Sequence, residues 1–290
     1  MIKFKGSGVA LVTPFNKDES VNYEKLGSLI DFHIKNGTDY IVVCGTTGES
    51  STLSETEKKK IISFSTKKAS GKIPIIAGTG TNNTSSTLSM SKYANECNAD
   101  GVLVVTPYYN KCNAHGLFLH YKMIADAIYP TPVILYNVPS RTGVDIDIDT
   151  IISLAKIENI VGIKEANTSL EKIANTIFRL KELNLDSNFS IISGNDNLTI
   201  PILSLGGIGS ISVCANIIPD VMHKICTDSD TTLYFKYLDL MNALFLDVNP
   251  IMIKVALNYL NFDVGPTRMP LCASQKDKIS KLHKTIDKLF

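Results

Sequence analysis

The sequence predicts an α/β fold, a (β/α)8 barrel of eight parallel strands followed by a C-terminal helical extension. Three observations carry that expectation. Short β-branched runs recur along the chain, each followed by a polar or glycine-rich turn and then by a stretch with helical spacing. Eight such runs occur, and eight is the number that closes a parallel barrel. The 290 residues are 44% hydrophobic, enough to bury one large core without a second full domain.

In chain order the strands are expected at 8–13, 40–44, 73–77, 101–106, 133–136, 160–164, 189–193 and 209–213. The first closes at Thr13-Pro14, the second opens into a loop with two glycines, and the third follows a lysine-rich helical stretch. The fourth and fifth end in proline-containing turns, the sixth ends on a lysine, and the seventh and eighth flank Gly206-Gly207. Segments such as 23–35, 55–68 and 170–180 place apolar residues three and four apart with lysines and glutamates between them, the pattern of outer-ring helices. After Val213 no strand pattern remains. Residues 231–246, 251–260 and 276–289 read as three added helices, with Gly265-Pro266 and Met269-Pro270 punctuating the last connection. The expected organisation is therefore a barrel over 1–226 that carries the active site and C-terminal helices over 227–290.

Lysine plus arginine number 29 against 28 acidic residues, which excludes the basic excess that drives nucleic-acid or anionic-membrane binding. The N-terminal apolar stretch is short and is interrupted by Thr13 and Pro14, so no signal peptide is expected, and no run approaches the ~20 apolar residues of a membrane span. Six cysteines, at 44, 97, 112, 214, 226 and 272, form no C-x-x-C pair and no secreted-type framework, which fits a reducing cytoplasm. The expected partners are small molecules and other copies of the chain.

Barrel enzymes build their sites at the C-terminal ends of the strands. Here those ends are polar: 45–50 reads G-T-T-G-E-S, 106–110 T-P-Y-Y-N, 136–143 Y-N-V-P-S-R-T-G, and the sixth strand ends in Lys164-Glu165. Lys164 closes an apolar run where the chain should still lie inside the barrel. With regular alternation, Gly162 points inward beneath it and leaves room for the long side chain or a substrate. Desolvation would then favour the neutral amine that attacks a carbonyl; the other reading is a lysine that reaches the rim and snorkels to solvent. Tyr136 ends the adjacent strand and is either a proton carrier beside the lysine or a packing residue with a satisfied hydroxyl. Thr46, Thr47 and Tyr109 can both donate and accept protons. Gly45 and Gly48 would allow a tight turn that aims amides at a carboxylate. Arg141 is either a bidentate carboxylate clamp or a surface arginine.

Together with S-G-N-D at 193–196, G-I-K-E-A at 162–166 and G-G-I-G-S-I-S-V at 206–213, these segments resemble the dihydrodipicolinate synthase family over nearly the whole chain. The resemblance implies that Lys164 forms an imine with pyruvate and that Tyr136 is the proton donor and acceptor. It implies that Thr46 and Tyr109 complete the relay, Tyr109 reaching into the neighbouring subunit's site. Backbone groups at Thr47 and Ile211 would contact pyruvate, and Arg141 would receive the carboxylate of aspartate 4-semialdehyde. The implied reaction condenses the pyruvate enamine with that aldehyde on the route to diaminopimelate and lysine. It needs no metal or organic cofactor, because the protonated imine is the electron sink. The implied assembly is at least a dimer, with a tetramer compatible. Many relatives are inhibited by lysine at an interface cleft, and here Ser50, Asn82 and Tyr108 stand at family-like positions. Ser86, however, replaces the glutamate that holds the effector's amino group, and Glu55 and Lys58 replace two histidines, so weak or absent lysine inhibition is expected.

The nearest rival is another lysine-dependent lyase such as N-acetylneuraminate lyase, but Thr47 and Arg141 favour the synthase, since that lyase has serine before threonine in the glycine loop and lacks the arginine. A metal-dependent aldolase is disfavoured because none of the five histidines, at 33, 115, 120, 223 and 283, falls at a predicted strand end, and His115 and His120 belong to a helical stretch. A pyridoxal phosphate barrel would want a lysine on the first strand, which has none, and a phosphate-binding isomerase is disfavoured because Gly206-Gly207 precedes its strand. A non-catalytic binding barrel would require Lys164 to be unreactive.

Overall fold

A computed structural model describes residues 4–290. Eight parallel strands close into a barrel in sequence order: β1 (Gly6–Ala10), β2 (Tyr40–Val43), β3 (Ile75–Gly78), β4 (Gly101–Val105), β5 (Val133–Asn137), β6 (Ile160–Glu165), β7 (Ser190–Ser193) and β8 (Gly209–Ser212), with β1 pairing β8. Around it run α1 (Tyr23–Lys35), α2 (Glu55–Ala69), α3 (Thr84–Glu96), α4 (Ala114–Ile128), the single turn α5 (Pro139–Thr142), α6 (Ile148–Ala155), α7 (Leu170–Glu182), α8 (Thr199–Leu205) and α9 (Pro219–Asp228). The three expected added helices are α10 (Thr231–Ala243), α11 (Ile251–Tyr259) and α12 (Lys276–Asp287), which pack on one another and on the end of the barrel. No helix among the described residues is long and apolar enough to cross a membrane.

Alternation along the strands sorts the core into two layers. Ala10, Val42, Ile76, Leu103, Ile134, Val161, Ile192 and Ile211 fill the barrel interior, while Val9, Ile41, Ile75, Val102, Leu135, Ile163 and Ile191 pack outward against the helices. The helices start where the sequence supplies caps. Ser54 and Glu57 form a reciprocal capping box on α2, and Asn83, Asn113 and Ser169 cap α3, α4 and α7.

Two departures from the expected strands have clear physical causes. The first strand begins earlier, at Gly6, and ends at Ala10 rather than Thr13. A Cβ on Gly209 would lie 1.9 Å from the Gly6 carbonyl oxygen, so this closing seam requires backbones closer than side chains allow. Beyond Ala10 the chain leaves the ladder, and the Val12 amide donates to the Asn216 side chain while the Thr13 hydroxyl donates to the Gly48 carbonyl. The second departure lies beneath Lys164. The β5–β6 register shifts, with Val133 opposite Ile160 but Ile134 opposite Gly162. This bulge adds Val161 to the inner cluster, while Gly162 keeps the register of the interior residue Ile134, two residues before Lys164. Gly162 also meets β7: a Cβ there would stand 2.5 Å from the Ser190 carbonyl oxygen, so the missing side chain allows close strand approach.

Candidate active site

Strand ends β5 and β6 bring Tyr136 and Lys164 side by side, in direct register. Lys164 is 5% exposed and its Nζ lies 4.5 Å from the centroid of the Tyr136 ring, itself buried. Lys164 is therefore no snorkelling rim residue. Behind the pair, Asp196 is buried at the end of β7 and its Oδ2 accepts from the amides of Val213 (3.1 Å) and Cys214 (2.8 Å). Burial holds the Asp196 carboxyl above its usual range, opposed by those backbone donors and by the positive charge of Lys164.

The glycine loop sits opposite. It winds back on itself through bonds from Glu49 N to Thr46 O and from Ser50 N to Gly45 O. The left-handed backbone falls on Cys44 (φ 55°) and Glu49 (φ 55°) and not on the two glycines. Gly48 is needed for another reason: a Cβ there would crowd the Leu11 carbonyl oxygen at 3.1 Å. Among the described residues the amides of Thr46 and Thr47 have no acceptor, so they remain free to meet an anion. Thr47 is 2% exposed, and its hydroxyl accepts from the Asn249 side-chain amide at 3.0 Å. Arg141, carried by α5, donates from Nη2 to the Asn249 carbonyl at 3.2 Å. Ile211 lies in β8, fully buried in the inner cluster.

A cavity of about 270 Å³ has Thr46, Ser50, Tyr108 and Arg141 in its lining, and through Thr46, Ser50, Gly80 and Val105 it joins a narrow space that reaches Tyr136. Tyr109 is the expected residue that the fold does not bring to this group. It has φ 69° and is 91% exposed. Of the residues expected at an effector cleft, Ser50 and Tyr108 line the cavity. Ser86 is exposed in the first turn of α3, and Asn82 accepts from Asn110 through its carbonyl.

Sequence reasoning missed the support supplied by the extension. Lys254 of α11 and Glu49 of the glycine loop form an ion pair of 2.6 Å with side chains 2% and 0% exposed. The Lys254 ammonium also donates to the Pro266 carbonyl and lies 4.0 Å from the Phe15 ring centroid, and burial pulls its pKa down to about 8. The Arg268 amide donates to the other Glu49 oxygen, and the Arg268 guanidinium grips Glu57 with two hydrogen bonds of 3.0 and 2.6 Å. A lysine within the apolar run 251–257 carried the same signal that singled out Lys164. Asn249 and Arg268 had no such local mark. On the outer side of β6, Glu165 accepts from Asn137 Nδ2 at 2.9 and 3.1 Å and from the Asn167 amide at 2.8 Å, and burial raises it to about 7. The histidines stand apart from all of this: His115 and His120 lie in α4, and His33 and His120 pair with threonine hydroxyls.

A parallel eight-stranded barrel with a buried lysine and tyrosine at adjacent C-terminal strand ends has the construction of a barrel enzyme acting on carbonyl compounds. The sequence model of the Dihydrodipicolinate synthetase family matches residues 3–289. The 4-hydroxy-tetrahydrodipicolinate synthase of Clostridium perfringens (strain SM101) is 48% identical over 290 residues, 98% of this chain and 97% of that protein. The crystal structure of dihydrodipicolinate synthase from Aquifex aeolicus superposes with a TM-score of 0.94 at 42% identity, covering 99% of this chain and 98% of that one. A further solved structure, described as the first monomeric dihydrodipicolinate synthase variant, matches at 38% identity with a TM-score of 0.93, over 98% of this chain and 96% of that one. The chain belongs to the dihydrodipicolinate synthetase family.

Proposed function

We propose that the protein is a 4-hydroxy-tetrahydrodipicolinate synthase, condensing pyruvate with aspartate 4-semialdehyde in diaminopimelate and lysine biosynthesis. The observation that carries the reading is the buried Lys164 ammonium against Tyr136, on a chain that shares family, length and fold with proteins of that name. In this reading the neutral Lys164 amine adds to the pyruvate carbonyl. Tyr136 protonates the carbinolamine oxygen as water leaves, and the imine then loses a methyl proton to become the enamine that attacks the aldehyde. Thr46 and Tyr109 carry the tyrosine's proton onward, Tyr109 serving the site of a second subunit, which accounts for its exposure here. The free amides at Thr46 and Thr47, with the backbone at Ile211, hold the pyruvate carboxylate, and Arg141 clamps the carboxylate of the aldehyde substrate. The working form is a homo-oligomer, at least a dimer, in the cytoplasm, and the reaction proceeds without metal or organic cofactor. Within the chain, 1–226 supplies the catalytic groups and 227–290 steadies them.

Borohydride reduction in the presence of pyruvate tests this reading. It should add one reduced pyruvate unit to the intact mass, place it on Lys164 in the peptide map and inactivate the protein irreversibly. Labelling elsewhere, or full activity in Lys164→Ala, would defeat it. Lys164→Arg should be equally inert, because a guanidinium does not deprotonate.

A further inference from the structure

We propose that Asn137 and Glu165 are positioning residues: bonded to each other one residue beyond Tyr136 and Lys164 on the same two strands, they set the spacing of the catalytic pair. The inference rests on the Schiff-base reading of Lys164. Tyr136 stands opposite Lys164 and Asn137 opposite Glu165, so the two rungs are consecutive. Alternation turns Asn137 and Glu165 to the helix side of the barrel wall, where both are buried. The backbone ladder does little to hold this end of the strands. Its register shifts between Val133 and Ile134, both strands end at the Asn137–Glu165 rung, and the last backbone bond runs from the Ala166 amide to the Asn137 carbonyl at 2.9 Å. A pair of strands bulged below and unpaired above can slide or splay at its final rung unless side chains pin it.

The Asn137 side chain has one orientation open to it. Its Nδ2 donates to Glu165 Oε1 and Oε2 at 2.9 and 3.1 Å and to Asp145 Oδ1 at 2.7 Å, while its Oδ1 accepts from the Ile146 amide at 3.2 Å. Both amide hydrogens and the oxygen are therefore engaged. The pair is in turn tied to its surroundings. Glu165 Oε1 also accepts from the Asn167 amide at 2.8 Å, and Lys172 of α7 donates both to Asp145 and, at 2.6 Å, to the Ile146 carbonyl. The clamp thus joins the two strand ends to α7 and to the segment leading into α6. The principal charges acting on Glu165 are those of Lys172 and Asp145, so it works on Lys164 through the strand and not as its counter-ion.

The test compares the wild type with Asn137→Ala, Glu165→Ala, the double variant and Glu165→Gln, each shown to be folded by circular dichroism. Three quantities are read: kcat, the KM for pyruvate, and the rate at which pyruvate and borohydride label Lys164 at saturating pyruvate. A misplacement of about 1 Å costs on the order of a hundredfold in rate, so each alanine variant should lose about tenfold to a hundredfold in kcat and in labelling rate. The KM for pyruvate should stay within about twofold, because the free amides of the glycine loop are untouched. The double variant should lose little more than either single one, as residues acting through one contact do. Glu165→Gln keeps an oxygen for Asn137 and for the Asn167 amide and should recover most of the rate. Should an alanine variant not fold, Glu165→Asp, which withdraws the carboxylate from Asn137 by one methylene, carries the same expectation. Undiminished kcat and labelling in the folded variants, a rise in KM alone, or additive losses in the double variant would overturn the proposal. The wild type is the separate check: if it takes no label on Lys164, the Schiff-base reading falls and the clamp with it, whereas a labelled wild type with equally fast variants removes only the clamp.

Discussion

The side-chain amide of Asn249 donates to the hydroxyl of Thr47 at 3.0 Å, joining the glycine loop to a residue 202 positions further along the chain. The same residue accepts from Arg141 through its carbonyl. Removing the amide in Asn249→Ala leaves the buried Thr47 hydroxyl without its donor, a change worth about 1 to 3 kcal/mol, or roughly fivefold to over a hundredfold in affinity. The KM for pyruvate should rise by an amount in that range while the borohydride adduct on Lys164 still forms at saturating pyruvate. An unchanged KM would mean that other contacts orient Thr47.

Tyr136 and Arg141 should fail in different ways. Tyr136→Phe keeps the ring beside the Lys164 ammonium but removes the proton carrier, and turnover should fall by about 10²- to 10⁴-fold. A loss well under tenfold would count against the assigned role. Arg141→Ala should instead raise the KM for aspartate 4-semialdehyde and spare imine formation with pyruvate.

Lysine should inhibit weakly or not at all. Ser86 is exposed and carries no charge, Glu55 is held away by Lys59, and the cation at Lys58 opposes the effector's amines. Losing one charge-assisted hydrogen bond costs about 1.5 to 3 kcal/mol. Initial rates across a lysine titration at sub-saturating substrates check this, and half-inhibition below about 1 mM, a binding energy of roughly 4 kcal/mol or more, would contradict it.

Glu165 gives the fold a pH dependence of defined sign. Burial raises its carboxyl from 4.5 to about 7, so the folded chain holds a proton that the unfolded chain releases. The stabilising contribution is complete below about pH 4.5 and is lost as pH rises toward 7, with a full extent on the order of 3 kcal/mol. The Tm of Glu165→Gln should therefore rise relative to that of the wild type as pH goes from 5 to 7. His33 and His120, lowered to about 3 and about 4 by burial, act in the opposite sense between pH 5 and 6.5, because they take up protons there only when unfolded, and they do so equally in both proteins. Parallel Tm–pH curves for the two proteins would refute the assignment.

The barrel and the core of its site were legible because both follow from local pattern. Apolar runs mark strands, strand ends mark the site, and Lys164 stood out as a charge inside such a run. Other features depend on what lies opposite and carry no local mark. Gly6 and Ser7 read as loop residues on propensity, yet they pair with Gly209 and Ser210 because glycine allows that seam to close. Strict alternation could not show the bulge against β5, which adds Val161 to the inner cluster. Asn249 and Arg268 act on segments some 200 residues earlier in the chain, beyond the reach of any periodicity.

The ion pair between Glu49 and Lys254 also sets an order of events during synthesis. Glu49 leaves the ribosome with the first quarter of the chain and its partner ammonium only in the last. A carboxylate buried without a counter-ion costs several kcal/mol, so the loop that bears Thr46 and Thr47 cannot settle into its final position while Lys254 is still unsynthesised. The nascent barrel thus keeps its glycine loop hydrated until the C-terminal helices dock, one of the last steps of biogenesis.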